Sequence, residues 1–128
     1  MKKLYVSPNA PKQADYIAQV SIDEEIGLAF VSGLISQKPD GTLVRGTDIK
    51  SETTLVLTSL KGIVEDMGLT MDHVIKCNIF LSNWLDFEGM CEVYNTFFSK
   101  ENPPARQTVV CSIWDQFRIE ISAEITLR

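Results

Sequence analysis

The chain has 128 residues, 45% hydrophobic and 23% charged, with five Pro and seven Gly, the size and composition of one domain spanning residues 1–128 with a core of its own. A formal net charge of −5 repels phosphate backbones and anionic lipid surfaces, which sets nucleic acid and membranes aside as partners. Three cysteines, Cys77, Cys91 and Cys111, cannot all pair within one chain and fall in apolar patterns, so reduced, buried thiols and a cytoplasmic location are expected.

At the N-terminus, "MKKLYVSPNAP" offers too few apolar residues before Pro8 for a secretion signal. "YVS" reads as an edge strand. "IAQVSI" (17–22) and "GLAFVSG" (27–33), separated by an acidic turn, read as an antiparallel hairpin. "SQKPDGTL" then turns the chain, because Pro fixes one φ and Gly supplies a positive one. From Thr47, apolar residues recur at three- and four-residue steps through Met67, which predicts a helix capped by Thr47 or Asp48 and ended by Gly68.

"HVIKCNIFLS" (73–82) has strand length and composition. Phe87, Met90, Cys91, Tyr94, Phe97 and Phe98 then mark the apolar face of a second helix, stopped by Pro103 and Pro104. Two further strands, 106–113 and 117–127, are read as a hairpin around "WDQ". In the last strand Ile119, Ile121, Ala123, Ile125 and Leu127 alternate with polar residues, so one face is core and the other needs different cover, which self-association supplies. The order β, β, β, α, β, α, β, β predicts a two-layer α/β sandwich: one mixed sheet with both helices on its apolar face.

The candidate chemistry gathers at "NPPARQTVVCSIW" (102–114). Alternation puts Arg106, Thr108, Val110 and Ser112 on one face, with Cys111 facing the core on the other. A guanidinium fixed at the start of a strand can grip a carboxylate through two parallel hydrogen bonds. The competing reading is an ion pair with Glu120 or Glu124 across the sheet. His73, the only histidine, sits at a loop-to-strand junction and reads as exposed or capping. No His or Cys pair has metal-ligand spacing and no Gly-rich loop suits phosphate, so neither metal nor cofactor is expected.

"PPAR", the preceding "YNTFF", "FVSG" in an early strand, Tyr16 in "ADYIAQ" and "RIEISAEI" at the end, in this order and spacing, resemble the RidA (YjgF) reactive-intermediate deaminase family. The resemblance runs nearly end to end. It implies a chorismate-mutase-like fold, a homotrimer whose sheets form a central barrel, and clefts at the subunit boundaries. It also implies hydrolysis of 2-imino and 2-enamino acids, such as 2-iminopropanoate, to 2-oxo acids and ammonia.

By the same resemblance Arg106 binds the substrate carboxylate, backbone groups around Arg106 and Thr108 position water, and Tyr16 closes the cleft. Gly33 leaves room for substrate, and Cys91, Glu120, Ser122 and Trp114 complete the binding set. "ADY" stands where many members read Gly-Pro-Tyr, Thr108 where a cysteine is common, and Cys91 where an asparagine often lies. The proton-carrying glutamate of the best-known members is expected two residues beyond the first Glu of the last strand, where this chain has Ser122. That departure leaves an alternative, a non-catalytic trimer binding small carboxylates such as 2-oxo acids. Trp114 either overhangs the cleft or packs at a subunit boundary. RNA cleavage has been attached to this family, but the acidic chain has no basic, aromatic-laced patch for it.

Overall fold

A computed structural model describes residues 1–128. Six strands form one sheet: β1 (Lys3–Tyr5), β2 (Val20–Asp23), β3 (Leu28–Leu34), β4 (Val74–Leu81), β5 (Ala105–Val110) and β6 (Ile119–Thr126), in the spatial order β1-β2-β3-β6-β4-β5. Helices α1 (Ile49–Asp66) and α2 (Phe87–Phe97) pack on one face. The architecture is the expected two-layer sandwich on a mixed, chorismate-mutase-like sheet. Neither helix is long and apolar enough to cross a membrane.

Local chemistry explains the helix limits. The Asp48 carboxylate accepts the Ser51 N–H at 2.8 Å, satisfying one of the first-turn donors that an α-helix leaves unpaired. At the other end Gly68 adopts φ +78°, and the Leu69 N–H donates back to the Val64 carbonyl at 2.9 Å. The buried stripe of α1, with Val56, Leu57, Leu60, Ile63 and Val64, meets Met90 and Tyr94 of α2 and the inward residues of β6 in one core cluster. Each fully buried aliphatic side chain contributes about 1.5–3 kcal/mol there.

The last strand alternates as its sequence predicts, with Ile119, Ile121, Ala123 and Ile125 buried and Glu120, Ser122 and Glu124 half-buried on the opposite, open face. Its start is clamped to α1 and α2. The buried Glu52 carboxylate accepts the Arg118 N–H at 3.0 Å, while the Arg118 guanidinium donates to the Thr47 carbonyl at 2.8 Å and pairs with Asp86 at 3.2 Å.

Two expectations fail. Strands β5 and β6 are not a hairpin: β6 inserts between β3 and β4, antiparallel to both, and β5 lies parallel to β4 at the sheet edge. The "WDQ" turn therefore carries the chain over β4 rather than back along β5. Cys111 is exposed instead of core because the faces of this strand are the reverse of the expected ones: Arg106, Thr108 and Val110 pair with the buried Cys77, Ile79 and Leu81 on the helix side, so alternation carries Cys111 to the open face. Cys77 is buried, as expected, and Cys91 is half-buried.

Candidate functional site

The candidate side chains collect in two places. At the sheet edge, Arg106 pairs in register with Cys77, whose side chain is buried on the helix side. The Arg106 side chain therefore rises toward α2. Its guanidinium lies 4.9 Å from the Tyr94 ring centre and 5.7 Å from that of Phe87, a cation–π arrangement on both rings. Thr108, two residues on, shares this face, as alternation predicts.

Phe87, Cys91 and Tyr94 follow the i, i+4, i+7 spacing of one helical stripe, so Cys91 shares the helix face that carries both rings. The ring bracket is absent from the sequence reading, which takes Phe87 and Tyr94 as plain core. The stripe's spacing was visible, but nothing in the sequence says that an arginine from a distant strand caps it. Burial pushes the Cys77 thiol up to about 12 and raises Tyr94 as well, so both stay protonated and neutral under the guanidinium at neutral pH.

Arg106 joins none of the five ion pairs of the chain and its side chain makes no hydrogen bond. The competing reading of the sequence, a pair with Glu120 or Glu124, is excluded by topology: both carboxylates lie on the open face of β6 and Arg106 lies on the helix face of β5. The result is an exposed cation, stacked on aromatic rings, with donors free for an anion.

The second place is a cleft of about 670 Å³ on the open face, walled by Ile17, Leu34, Leu43 and Trp114, with Gly33 and Glu120 in its lining. The pairing of β3 with β6 slips between Val31 and Leu34, a bulge that brings Gly33 against Glu120. The Gly33 carbonyl accepts a hydrogen bond from the Gln13 amide at 3.2 Å, tying the segment before β2 to the cleft. Burial raises the Glu120 pKa above the ordinary carboxylate value. A half-buried carboxyl poised in this way is suited to carrying protons.

A Cβ on Gly33 would meet the Glu120 Cδ at 2.8 Å and Cγ at 3.1 Å. These atoms belong to a flexible side chain, so Gly33→Ala is expected to fold with a melting temperature close to wild type while displacing the Glu120 carboxyl. If Glu120 acts in catalysis, the misplacement lowers turnover by about 10–100-fold. Thermal denaturation alongside steady-state kinetics checks both halves.

Ser122 lies outside this cleft, where its hydroxyl accepts from the Asn78 amide at 3.1 Å on the open face. The carboxyl of the cleft comes from Glu120, two residues earlier. Trp114 is among the residues lining this cleft; it is 63% exposed, and its ring stacks 5.8 Å from that of the fully buried Phe117. Tyr16 is fully exposed and holds φ +70°, a left-handed conformation that costs a non-glycine residue about 1–3 kcal/mol. It projects from the segment that supplies Ala14 and Ile17 to the cleft. No group of three or more His, Cys, Asp or Glu side chains is placed to hold a metal ion.

Within one chain the two places do not meet. Val109, in register with Phe80, which in turn pairs with Glu120, lies three residues along β5 from Arg106. With β4 between them the Arg106 and Glu120 backbones are about 14 Å apart, and their side chains leave opposite faces of the sheet.

A sequence model of the family described as Endoribonuclease L-PSP matches residues 8–126. A RutC family protein of Pyrococcus horikoshii is 33% identical over 124 residues, covering 96% of each chain. Among solved structures, TdcF of E. coli with bound serine is 28% identical with a TM-score of 0.85, over 97% of this chain and 98% of its own. The YjgF gene product of E. coli is 27% identical with a TM-score of 0.86, over 98% and 99%.

Proposed function

This chain belongs to the RidA/YjgF family, described also as endoribonuclease L-PSP, and from that premise we propose that it hydrolyses reactive 2-imino and 2-enamino acids to 2-oxo acids and ammonia. The observation that carries the reading is Arg106: a guanidinium stacked on Phe87 and Tyr94 with no anionic partner of its own. Such a group offers a substrate carboxylate two parallel hydrogen bonds and fixes the orientation of the carbon beside it. The serine bound to the related TdcF carries a carboxylate of the same kind.

The chemistry asks little more. An enamine first takes a proton at carbon 3 to become the imine. Water then adds to carbon 2, forming a C–O bond; the amine nitrogen is protonated, the C–N bond breaks, and ammonia leaves with a 2-oxo acid behind. Glu120 is the group suited to take the proton from water and return it to nitrogen, since its raised pKa brings it nearer neutral pH. Arg106 and Glu120 are too far apart in one chain to touch one small acid, so the working site is assembled between copies: the β5 edge of one chain faces the Glu120 cleft of its neighbour, and Tyr16 closes it. A homotrimer, with the open faces of three sheets turned inward, covers exposed residues such as Phe30 and Val109.

The non-catalytic alternative drew its support from Ser122. With Glu120 in the cleft that support is weaker, and binding of 2-oxo acids without turnover remains its signature. RNA cleavage, named in the family description, finds little support in a chain of net charge −5. Three free cysteines, one of them exposed, suit a cytoplasmic protein. The test supplies 2-iminopropanoate in situ from a pyridoxal-phosphate dehydratase and follows pyruvate. The protein is expected to accelerate its appearance beyond the spontaneous rate, and no acceleration at high protein concentration counts against hydrolysis.

A further inference from the structure

The cleft beside Glu120 is far larger than a three-carbon acid needs. A volume of about 670 Å³ lies within the range that encloses drug-sized ligands, and beside Glu120 and the polar Lys12, Gln13 and Gln37 its lining includes Ile17, Leu34, Ile35, Leu43 and Trp114. Trp114 matters most. One side of its ring rests near the fully buried Phe117, and it is otherwise 63% exposed, so it presents an aromatic surface that nothing in the chain covers.

That surface is held in place. The two residues after Trp114 are left-handed, Asp115 at φ +53° and Gln116 at φ +63°, a conformation that non-glycine residues keep only where their surroundings enforce it. The enforcement is visible: Asp115 is ion-paired with Arg45, and the Phe117 N–H donates to the Trp114 carbonyl at 3.3 Å. On the far side, the Gln37–Leu43 bridge fixes the loop that supplies Leu43.

We infer that the cleft selects 2-imino and 2-oxo acids with a bulky apolar or aromatic side chain, and that Trp114 is the residue that sets this specificity. The inference rests on the reading that the acid group of the substrate is anchored beside Glu120 by a neighbouring Arg106. With the reacting carbon at Glu120, a methyl group leaves most of the cleft to water, whereas a branched or phenyl side chain reaches the Trp114 face. Apolar pockets discriminate by roughly tenfold or more for each methylene-sized difference they enclose.

The test is calorimetric titration with pyruvate, 4-methyl-2-oxopentanoate and phenylpyruvate, which needs no turnover. Wild type is expected to bind phenylpyruvate at least tenfold more tightly than pyruvate, with the branched acid between. Trp114→Ala should bring that ratio to within about threefold and Trp114→Phe should keep most of it, circular dichroism confirming that both fold. Equal affinities in wild type, tightest binding of pyruvate, or a ratio untouched in Trp114→Ala would overturn the inference, even in a protein that hydrolyses imines. A Trp114-dependent preference without any imine hydrolysis would support it and count instead against the hydrolase reading.

Discussion

Arg106→Ala is expected to lower kcat/KM for 2-iminopropanoate hydrolysis at least 100-fold while leaving the fold intact. The magnitude follows from two charge-assisted hydrogen bonds to one carboxylate, together about 3 kcal/mol, at 1.36 kcal/mol for each factor of ten. The fold should survive because Arg106 is exposed and holds no ion pair or side-chain hydrogen bond. What it loses is stacking on Tyr94 and Phe87, worth about 0.5–1 kcal/mol at an exposed site, or a few degrees in melting temperature. Arg106→Lys keeps the charge but presents a point rather than a fork, so it should recover only part of the activity. Kinetics and thermal denaturation on the same preparations decide. Full activity in the alanine variant would remove Arg106 from the site.

Glu120→Gln should separate activity from stability in the opposite sense. Loss of a positioned proton carrier costs roughly 10²–10⁴-fold in rate, so kcat is expected to collapse while the carboxylate anchor, and with it KM, changes little. Stability should move the other way. Burial raises the folded-state pKa of Glu120 above its ordinary value, so the folded protein favours the protonated form. The stability that this provides is complete below the unfolded pKa, about 4.3 for glutamate, and is lost as pH rises through the folded value. Gln carries no charge at any pH. The variant should therefore melt above wild type at pH 7, and the difference should shrink toward pH 4. In wild type the acid limb of kcat/KM should lie above the ordinary glutamate value, and that limb should be absent from any residual activity of the variant. A lower melting temperature for Glu120→Gln at pH 7 would contradict the burial argument.

Much of the fold was legible because periodicity is a local property. The i, i+3, i+4 recurrence from Ile49 to Met67 and the strict alternation from Ile119 to Leu127 each report one buried face, and both faces are where they were expected. Which strand pairs with which is not local. The short "WDQ" link has the length of a hairpin turn, yet β6 crosses over to the centre of the sheet, where its apolar face gains neighbours on both sides. The burial of Cys111 fails for a separate reason, the face of β5: Arg106 pairs with Cys77 on the helix side, which carries Cys111 by alternation to the open face and parts Arg106 from Glu120, so no ion pair forms across the sheet.

The candidate site was legible to the same degree. Arg106 and Thr108 share a face by alternation, and Gly33, Glu120 and Trp114 line one cleft. Their grouping required the bulge at Gly33, a departure from regular pairing that no propensity marks. The supporting rings of Phe87 and Tyr94 looked like core because, on α2, they also are: Tyr94 is 6% exposed. The resemblance points to position 122 for the carboxyl, but Ser122 bonds to Asn78 and it is Glu120 that lines the cleft.

The central claim is that Arg106 of one chain and Glu120 of another act on the same molecule, and subunit complementation tests it most directly. Arg106→Ala and Glu120→Gln proteins, each inactive, are unfolded, mixed in equal amounts and refolded together, and hydrolysis of 2-iminopropanoate is then measured. In randomly mixed oligomers, a cleft between chains takes its arginine from a Glu120→Gln chain half the time and its glutamate from an Arg106→Ala chain half the time. About one quarter of wild-type activity should return, from the independent assortment of shared sites. No recovery, with mixed oligomers shown to have formed, would contradict a site built between copies of this chain.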